Sequence, residues 1–385
     1  MWPRKLLFFI TGLLLGWGVL RDLAPAAALA NGLALTPPMG WNSWYAFGCK
    51  PTEELIQQQV HALIRLGLRG AGYDTVIVDD CWAADRDSQG HITANANFGS
   101  GIPVLAAYLH KNRFKLGLYS SRGMRTCMDF TGSEDYEALD AQTFADWGVD
   151  YVKYDNCPYT QDGIDIERRY KAMRDGILAT GRPMIFSISM WEFQGWQPET
   201  GHLSRTMGDI QDTWASNLEH FLRNSAYAAY AHPGYWNDPD VLHLGGGMTT
   251  NEYRTTFSLW ALSAAPLIIS ANLYGLPDGT LKILRDKDVI AIDQDPLGVQ
   301  AVQIGNSGPG KTVWSKQLST GEYAVGLLNE EDETSADISF DGGMLGLGSY
   351  EVRDVWAKRK MGTYSGVYTA SVKPHGIVLL RITPR

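Results

Sequence analysis

Tyr151-Val152-Lys153-Tyr154-Asp155-Asn156-Cys157 is the stretch of this sequence with the clearest chemical potential. A β-branched and aromatic run carries a lysine and then an aspartate to its end, as a buried strand does when it delivers one carboxylate to a sheet edge. The period of two puts Lys153 and Asp155 on the same side of the pleat, and an ammonium beside a carboxylate favours its ionised form. An ionised, immobilised carboxylate is what a covalent glycosyl or phosphoryl intermediate requires. Taken alone, the stretch reads equally well if Asp155 only caps the turn that follows.

Other acids end similar runs. Asp79-Asp80 closes the apolar run from Tyr73, Asp209 ends a shorter candidate strand beginning at Arg205, and Asp238 and Asp240 follow Gly234-Tyr235-Trp236-Asn237. Each has an ordinary reading: a solvated turn for Asp79-Asp80, a helix N-cap for Asp209, a turn initiator for Asp238-Pro239. Two adjacent carboxylates repel unless something binds them, and several acids at the ends of successive strands form one rim. No Cys-x-x-Cys or His-x-x-x-His spacing suggests a metal, and no strand is followed by Gly-x-Gly-x-x-Gly, so no cofactor is expected. Carboxylates mixed with Trp and Arg point to a polyol substrate and paired-carboxylate chemistry.

The elements that must position these acids alternate. Strand candidates begin at Met39, Tyr73, Lys115, Val149, Met184, Arg205, Gly234 and Pro266, with helical patterns such as Thr52 to Leu68 and Tyr136 to Trp147 between them. This predicts an α/β fold, a (β/α)8 barrel, over residues 31–300, with a doubly wound open sheet as the alternative. Gly245-Gly246-Gly247 lacks a phosphate-loop setting and reads as a flexible loop. Residues 301–385 change character. Short strands at 312–315, 323–328, 336–340, 350–356 and 376–382, separated by turn residues, predict a small antiparallel sandwich, with the Gly/Ser/Pro-rich segment 306–311 just inside the boundary.

Residues 1–30 have a basic start, an apolar run from Leu6 to Leu20 and an Ala28-Leu29-Ala30 cleavage pattern, predicting a signal peptide and a secreted or otherwise extracytoplasmic protein. No later stretch could span a bilayer, so no membrane association is expected after cleavage. The four cysteines then sit in a compartment that permits disulfides. A hydrophobic share of 45% with 19% charged residues describes a globular chain, and a net charge of −9 without a basic cluster argues against nucleic acid as partner. The sequence has no Asn-x-Ser/Thr sequon, and it does not determine the oligomeric state.

The motifs Thr36-Pro37-Pro38-Met39-Gly40-Trp41-Asn42-Ser43-Trp44, Asp79-Asp80-Cys81-Trp82, Phe144 to Asp150, Lys153-x-Asp155-x-Cys157, Arg205-x-x-x-Asp209 and Trp236-Asn237-Asp238-Pro239-Asp240 occur in that order. Together they resemble the signature series of glycoside hydrolase family 27, the α-galactosidases or melibiases. The likeness runs from Leu35 to Gln294-Asp295-Pro296-Leu297-Gly298, and the all-β region beyond also fits it.

The resemblance implies a retaining hydrolase that releases terminal α-linked galactose by double displacement. Asp155 matches the nucleophile and Asp209 the general acid/base. Asp79 and Asp80 match the pair that accepts from the galactose 4- and 6-hydroxyls. Lys153 and Arg205 match residues beside the nucleophile, and Trp44, Tyr119 and Asp240 match the pocket wall. Cys49 with Cys81, and Cys127 with Cys157, match the disulfides. Where many members carry Cys-Glu-Trp or Cys-Ser-Trp, this chain reads Ser189-Met190-Trp191. Ser189 and Trp191 match the loop that faces the sugar 2-position, so galactose or N-acetylgalactosamine stays open there. Val241 stands where Met is common. A β-L-arabinopyranosidase, an isomalto-dextranase or a non-catalytic sugar-binding protein would use the same pocket. The Asp79-Asp80 pair favours a galacto-configured sugar.

Overall fold

The structure is a computed structural model that describes Leu29, residues 31–157 and residues 165–385. Apart from Leu29, the leader expected at residues 1–30 lies outside the described residues. Parallel strands β1 (Met39–Asn42), β2 (Thr75–Val78), β3 (Lys115–Ser121), β4 (Tyr151–Asp155), β5 (Ile185–Ser189), β6 (Leu203–Arg205), β7 (Trp236–Asp238) and β8 (Leu267–Ser270) follow one another around a ring. β8 returns to pair with β1, Met39 facing Leu267. A two-residue strand, Leu242–His243, continues β7 after a break and pairs with β8. This is the (β/α)8 barrel. The sixth strand lies two residues before the candidate predicted for it: Arg205 ends it, and Asp209 belongs to the loop beyond.

Strand parity explains where the charges go. Tyr151, Ile77, Ile185, Leu203, Trp236 and Ile268 form one apolar cluster. Two residues further along the same face of each strand come Lys153, Asp79, Ser187, Arg205, Asp238 and Ser270. The inward face therefore changes from apolar to polar toward the C-terminal ends. The opposite face, with Val76, Val152, Tyr154, Phe186 and Ile188, joins the main core. Helices α1 (Glu53–Arg65), α2 (Ile102–Lys111), α3 (Glu137–Trp147) and α4 (Ile166–Ala179) cover it through Leu63, Leu105, Phe144 and Met173. Each such side chain contributes about 1.5–3 kcal/mol by leaving water. β1 and β2 approach so closely that a Cβ at Gly40 would lie 2.3 Å from the Thr75 carbonyl oxygen; only glycine fits.

The C-terminal region is a sandwich. Antiparallel strands β9 (Val302–Asn306), β10 (Lys311–Gln317), β11 (Tyr323–Asn329), β12 (Ala336–Asp341), β13 (Tyr350–Asp354), β14 (Arg359–Tyr364), β15 (Val367–Val372) and β16 (Gly376–Pro384) form a six-stranded sheet, ordered β9-β10-β11-β16-β13-β14, and the pair β12-β15. Val313, Leu327, Ile338, Phe340, Val352 and Leu380 fill the space between them. Sequence patterning missed β9, β14 and β15. Segment 306–311, which the sequence puts just inside the boundary, is the hairpin turn between β9 and β10, closed by Ser307 N–H donating to the Lys311 carbonyl at 2.8 Å. The sandwich packs on the barrel through Trp314 against Phe221, ring centres 4.7 Å apart, and through Trp356, whose indole donates to Ser258 Oγ at 2.9 Å.

Candidate active site

A cavity of about 370 Å³ lies at the C-terminal ends of the barrel strands. Of the predicted site residues, Trp44, Asp79, Asp80, Tyr119, Lys153, Asp155, Trp191, Arg205, Asp209 and Asp240 line it. Ser189 does not. It lies at the end of β5 opposite Asp155, on the inward parity, with a buried Oγ that has no hydrogen-bond partner. A larger cavity at the opposite end of the barrel is lined by Thr36, Pro37, Pro38 and Ile185 among others and holds none of these acids.

Asp79 and Asp80 follow β2 and use different partners. Asp79 Oδ2 accepts from Lys153 Nζ at 2.7 Å and from Asn42 Nδ2 at 2.6 Å. Asp80 accepts from the backbone N–H of Cys81 at 2.6 Å and of Met128 at 3.0 Å. Burial pushes the Asp80 carboxyl up to about 6, against the opposing pull of hydrogen bonds from Thr126 and Cys81. Asp155 ends β4, is only 6% exposed, and accepts from Asn156 N–H at 2.8 Å. Burial raises its pKa, and the nearby Lys153 and Asn156 N–H oppose that shift without reversing it. The sequence suggested a net effect of the other sign. Lys153 does share the face of Asp155, but its short contact is to Asp79, and a fully buried carboxylate loses more by desolvation. For Lys153 itself, burial alone would lower the pKa; Asp79 and Asp155 overcome this and hold it above its ordinary value.

Asp209 is the exposed member, its side chain 65% accessible. Arg205 holds the loop that carries it. One guanidinium nitrogen donates to Asp209 Oδ1 at 3.2 Å and to the carbonyls of Met207 at 3.0 Å and Gly208. The same nitrogen lies 3.0 Å from Asp240 Oδ2. Asp240 sits where β7 breaks, with φ of 91°. A non-glycine residue held there is strained, and such strain is retained where surrounding contacts fix it. Here those contacts are Arg205 and Ile210 N–H, which donates to Asp240 Oδ2 at 3.0 Å.

Disulfides Cys49–Cys81 and Cys127–Cys157 tie the loops after β2 and β4. Cys127, Asp155 and Cys157 gather their sulfur and oxygen atoms within 4.8 Å. With both sulfurs bonded to each other there is no thiolate, and the group does not have the donors of a metal centre. The Tyr119 hydroxyl lies 3.1 Å from Cys127 Sγ. Burial first, then Asp155 and Asp80, keep that phenol neutral.

Sequence reasoning did not single out Asn42, Tyr45 or Met128, which also line the cavity. Asn42 lies within the Thr36 to Trp44 motif and Tyr45 directly follows it, so that motif is the available signal. Tyr45 stacks on His243, centres 4.0 Å apart and planes 14° from parallel. The Gly245–Gly247 stretch is an exposed loop whose backbone N–H groups are all partnered. The N–H groups of Gly245 and Gly247 both donate to Asp212 Oδ2 at 2.7 Å, and Gly246 N–H donates to the Tyr253 hydroxyl at 2.8 Å. A Cβ at Gly247 would lie 2.2 Å from the Asp212 carbonyl oxygen.

Residues 36–295 match the family model described as alpha galactosidase A, and residues 309–382 match that of the alpha galactosidase C-terminal beta sandwich domain. The chain is 41% identical over 368 residues to an alpha-galactosidase of Cyamopsis tetragonoloba, covering 92% of this chain and 88% of that one. Among solved structures, alpha-galactosidase I from Mortierella vinacea superposes with a TM-score of 0.87 at 34% identity, covering 92% and 100%. The alpha-galactosidase of Saccharomyces cerevisiae with raffinose superposes with a TM-score of 0.88 at 29% identity, covering 92% and 99%.

Proposed function

This chain belongs to the alpha galactosidase A family, and from that premise we propose that it releases terminal α-linked galactose from oligosaccharides or glycoconjugates with retention of configuration. The observation that carries the reading is one cavity bringing a buried aspartate, an exposed aspartate and a paired acceptor set together. Asp155 is the nucleophile: its burial strips water from the attacking oxygen, and Asn156 N–H fixes its direction. Asp209 protonates the leaving oxygen and then activates water; its exposure at the rim suits a group that must meet both an aglycone and a water molecule. Arg205 keeps the Asp209 loop in place.

Asp79, Asp80, Lys153 and Asn42 hold the sugar hydroxyls. A carboxylate pair only accepts, so it takes two hydroxyl protons from one side of the ring, as an axial 4-hydroxyl and its neighbouring 6-hydroxyl demand. Trp44, Tyr119 and Asp240 complete the wall. Trp191 stands nearest the 2-substituent; Ser189, one strand from Asp155, is outside the cavity lining. Export through the leader fits a chain with two disulfides; among the described residues no helix is long and apolar enough to cross a membrane.

Hydrolysis of an aryl α-galactoside, compared with the matching α-N-acetylgalactosaminide, tests the reading. We expect the galactoside to be cleaved at least about tenfold faster, the factor that 1.4 kcal/mol of discrimination supplies. Preference for the acetamido sugar would move the function to an α-N-acetylgalactosaminidase. Loss of both activities would leave a sugar-binding protein.

A further inference from the structure

The loop that carries Asp209 runs from Arg205, the last residue of β6, to helix α5 (Trp214–Ser225) and belongs to no strand or helix. Its near end is held by Arg205, which donates to the carbonyls of Met207 and Gly208. Its far end is held by Asp212. Asp212 Oδ2 accepts from the N–H groups of Gly245 and Gly247, both at 2.7 Å, and Oδ1 accepts from the Tyr253 hydroxyl at 2.8 Å. Asp212 thereby ties the loop to the segment between Leu242–His243 and helix α6 (Thr250–Ser263). It does not line the cavity that holds Asp155 and Asp209. We propose that Asp212 is a positioning residue: without touching substrate, it sets where the Asp209 carboxyl meets the leaving oxygen. The inference rests on the galactosidase reading above and deepens it by a residue outside the cavity.

Three observations support this. First, the anchor suits a carboxylate. Three donors converge on Asp212, and hydrogen bonds to an ionised acceptor are the strong ones. Burial and the bond to Asp212 push the Tyr253 hydroxyl up to about 12, so at neutral pH it keeps its proton and donates. Second, the approach is close. A Cβ at position 247 would meet the Asp212 carbonyl oxygen at 2.2 Å, and one at position 245 would lie 2.9 Å from Asp212 Oδ2, so a side chain at either place would push the loop away. Third, Asp209 depends on its backbone. Its side chain is exposed, so packing does little to place it, and a reacting group must be held within about 0.5 Å of its working position. Between Asp209 and Asp212, Ile210 is buried and its N–H donates to Asp240 Oδ2 at 3.0 Å. The segment pivots at that point, with Asp212 on one side and Asp209 on the other.

The test compares two substrates of the intact protein. Methyl α-galactoside has a poor leaving group and needs the proton from Asp209; a dinitrophenyl α-galactoside leaves without it. Asp212→Ala should lower kcat/KM on the methyl galactoside by about 10²-fold, the cost of misplacing a reacting group by about 1 Å. The dinitrophenyl galactoside should stay within about threefold, and the inhibition constant of free galactose within about twofold, because the contacts to the galactose ring are untouched. Tyr253→Phe deletes one donor and keeps the ring in place. It should show the same selectivity at about tenfold, and it carries the test if Asp212→Ala does not fold. A merely structural role predicts equal losses on both substrates or weaker inhibition by galactose. Either result, or no loss on either substrate, would overturn the proposal. A wild-type protein inactive on both would instead overturn the galactosidase reading on which it depends.

Discussion

The barrel rim and the interface beneath the C-terminal sandwich both bury charge, and they do so differently. At the rim, Asp79, Asp80, Asp155 and Asp240 are each no more than 6% exposed, yet all four border an open cavity. At the interface, Lys316 is 2% exposed, and its ammonium donates to the carbonyls of Ile292 at 3.0 Å and Ala261 at 3.3 Å. Asp293, fully buried, lies near enough for its charge to act on Lys316. Burial raises the Asp293 carboxyl and lowers Lys316 to about 8. Both regions therefore carry strongly shifted groups, so shifted titration alone does not mark a site. What separates them is the unfilled face: the rim carboxylates keep oxygens directed at a cavity, whereas the Lys316 protons are used within the protein.

The contrast is broken most severely if the rim acids can be removed without loss of turnover. Asp155→Gly should lower kcat by at least about 10⁴-fold, since no covalent intermediate forms. Added azide should restore product formation from the vacated face and give the β-galactosyl azide. Asp209→Ala should lose within roughly 10²–10⁴-fold on substrates with poor leaving groups and much less on aryl galactosides with good ones. Azide should then intercept the accumulated intermediate and give the α-azide, after two inversions. The anomers can be read by proton NMR. The same anomer from both variants, or the α-azide from Asp155→Gly, would remove or exchange the two roles.

A smaller effect, confined to stability, should follow at the interface. Lys316→Met removes the ammonium that donates to the Ile292 and Ala261 carbonyls, and a buried acceptor left unpaired costs about 1–3 kcal/mol. Asp293→Asn combined with Lys316→Met leaves the same carbonyls unpaired, so it should not recover that loss. Thermal unfolding of the two variants gives the stability, and aryl galactoside hydrolysis should show kcat within about twofold of wild type in both. A large fall in kcat at unchanged stability would mean that the interface belongs to the site, and the contrast between the two regions would fail.

The rim was legible in the sequence for a physical reason. Parallel strands buried on both faces read as unbroken apolar runs, so Tyr73 to Val78 and Val149 to Asp155 announce themselves, and the acid ending each run lands at the C-terminal end of the barrel. The sixth strand is only Leu203–Arg205, too short to give a run, and the prediction slid toward Asp209. In the sandwich, β9 and β14 are mostly exposed edge strands with no apolar alternation to read. β15 pairs with β12 in a two-stranded sheet, and its alternation is short. Asp212 and the glycines it holds were also illegible: three glycines in a row look free until a carboxylate from another loop accepts their N–H groups. The direction of the Asp155 shift was misjudged because spacing gives the neighbour on the same face, whereas the depth of burial belongs to the tertiary structure.

The smallest expected effect refines the comparison by asking what the rim costs. Asp80 has a folded pKa of about 6, above its ordinary 3.8, chiefly through burial. A carboxyl raised in this way binds its proton more tightly folded than unfolded. Its contribution to stability is complete below about pH 4 and is lost as pH rises through about 6. The span corresponds to roughly 3 kcal/mol by neutral pH. Asp80→Asn removes the charge that carries this cost. It cannot keep everything, because one amide oxygen must replace two carboxylate oxygens that accept from Cys81 and Met128, and a backbone N–H left unpaired costs about 1–3 kcal/mol. We therefore expect the variant to be about 1 kcal/mol more stable than wild type at pH 7.5 and no more stable at pH 4, by urea unfolding at both. Activity should fall, since the amide presents a donor where the sugar hydroxyl needs an acceptor. A stability difference that is the same at both pH values would show that Asp80 stays ionised without strain in the empty site. In that case the rim would hold its charge as comfortably as the interface holds Lys316, and the cavity would owe nothing to stored desolvation.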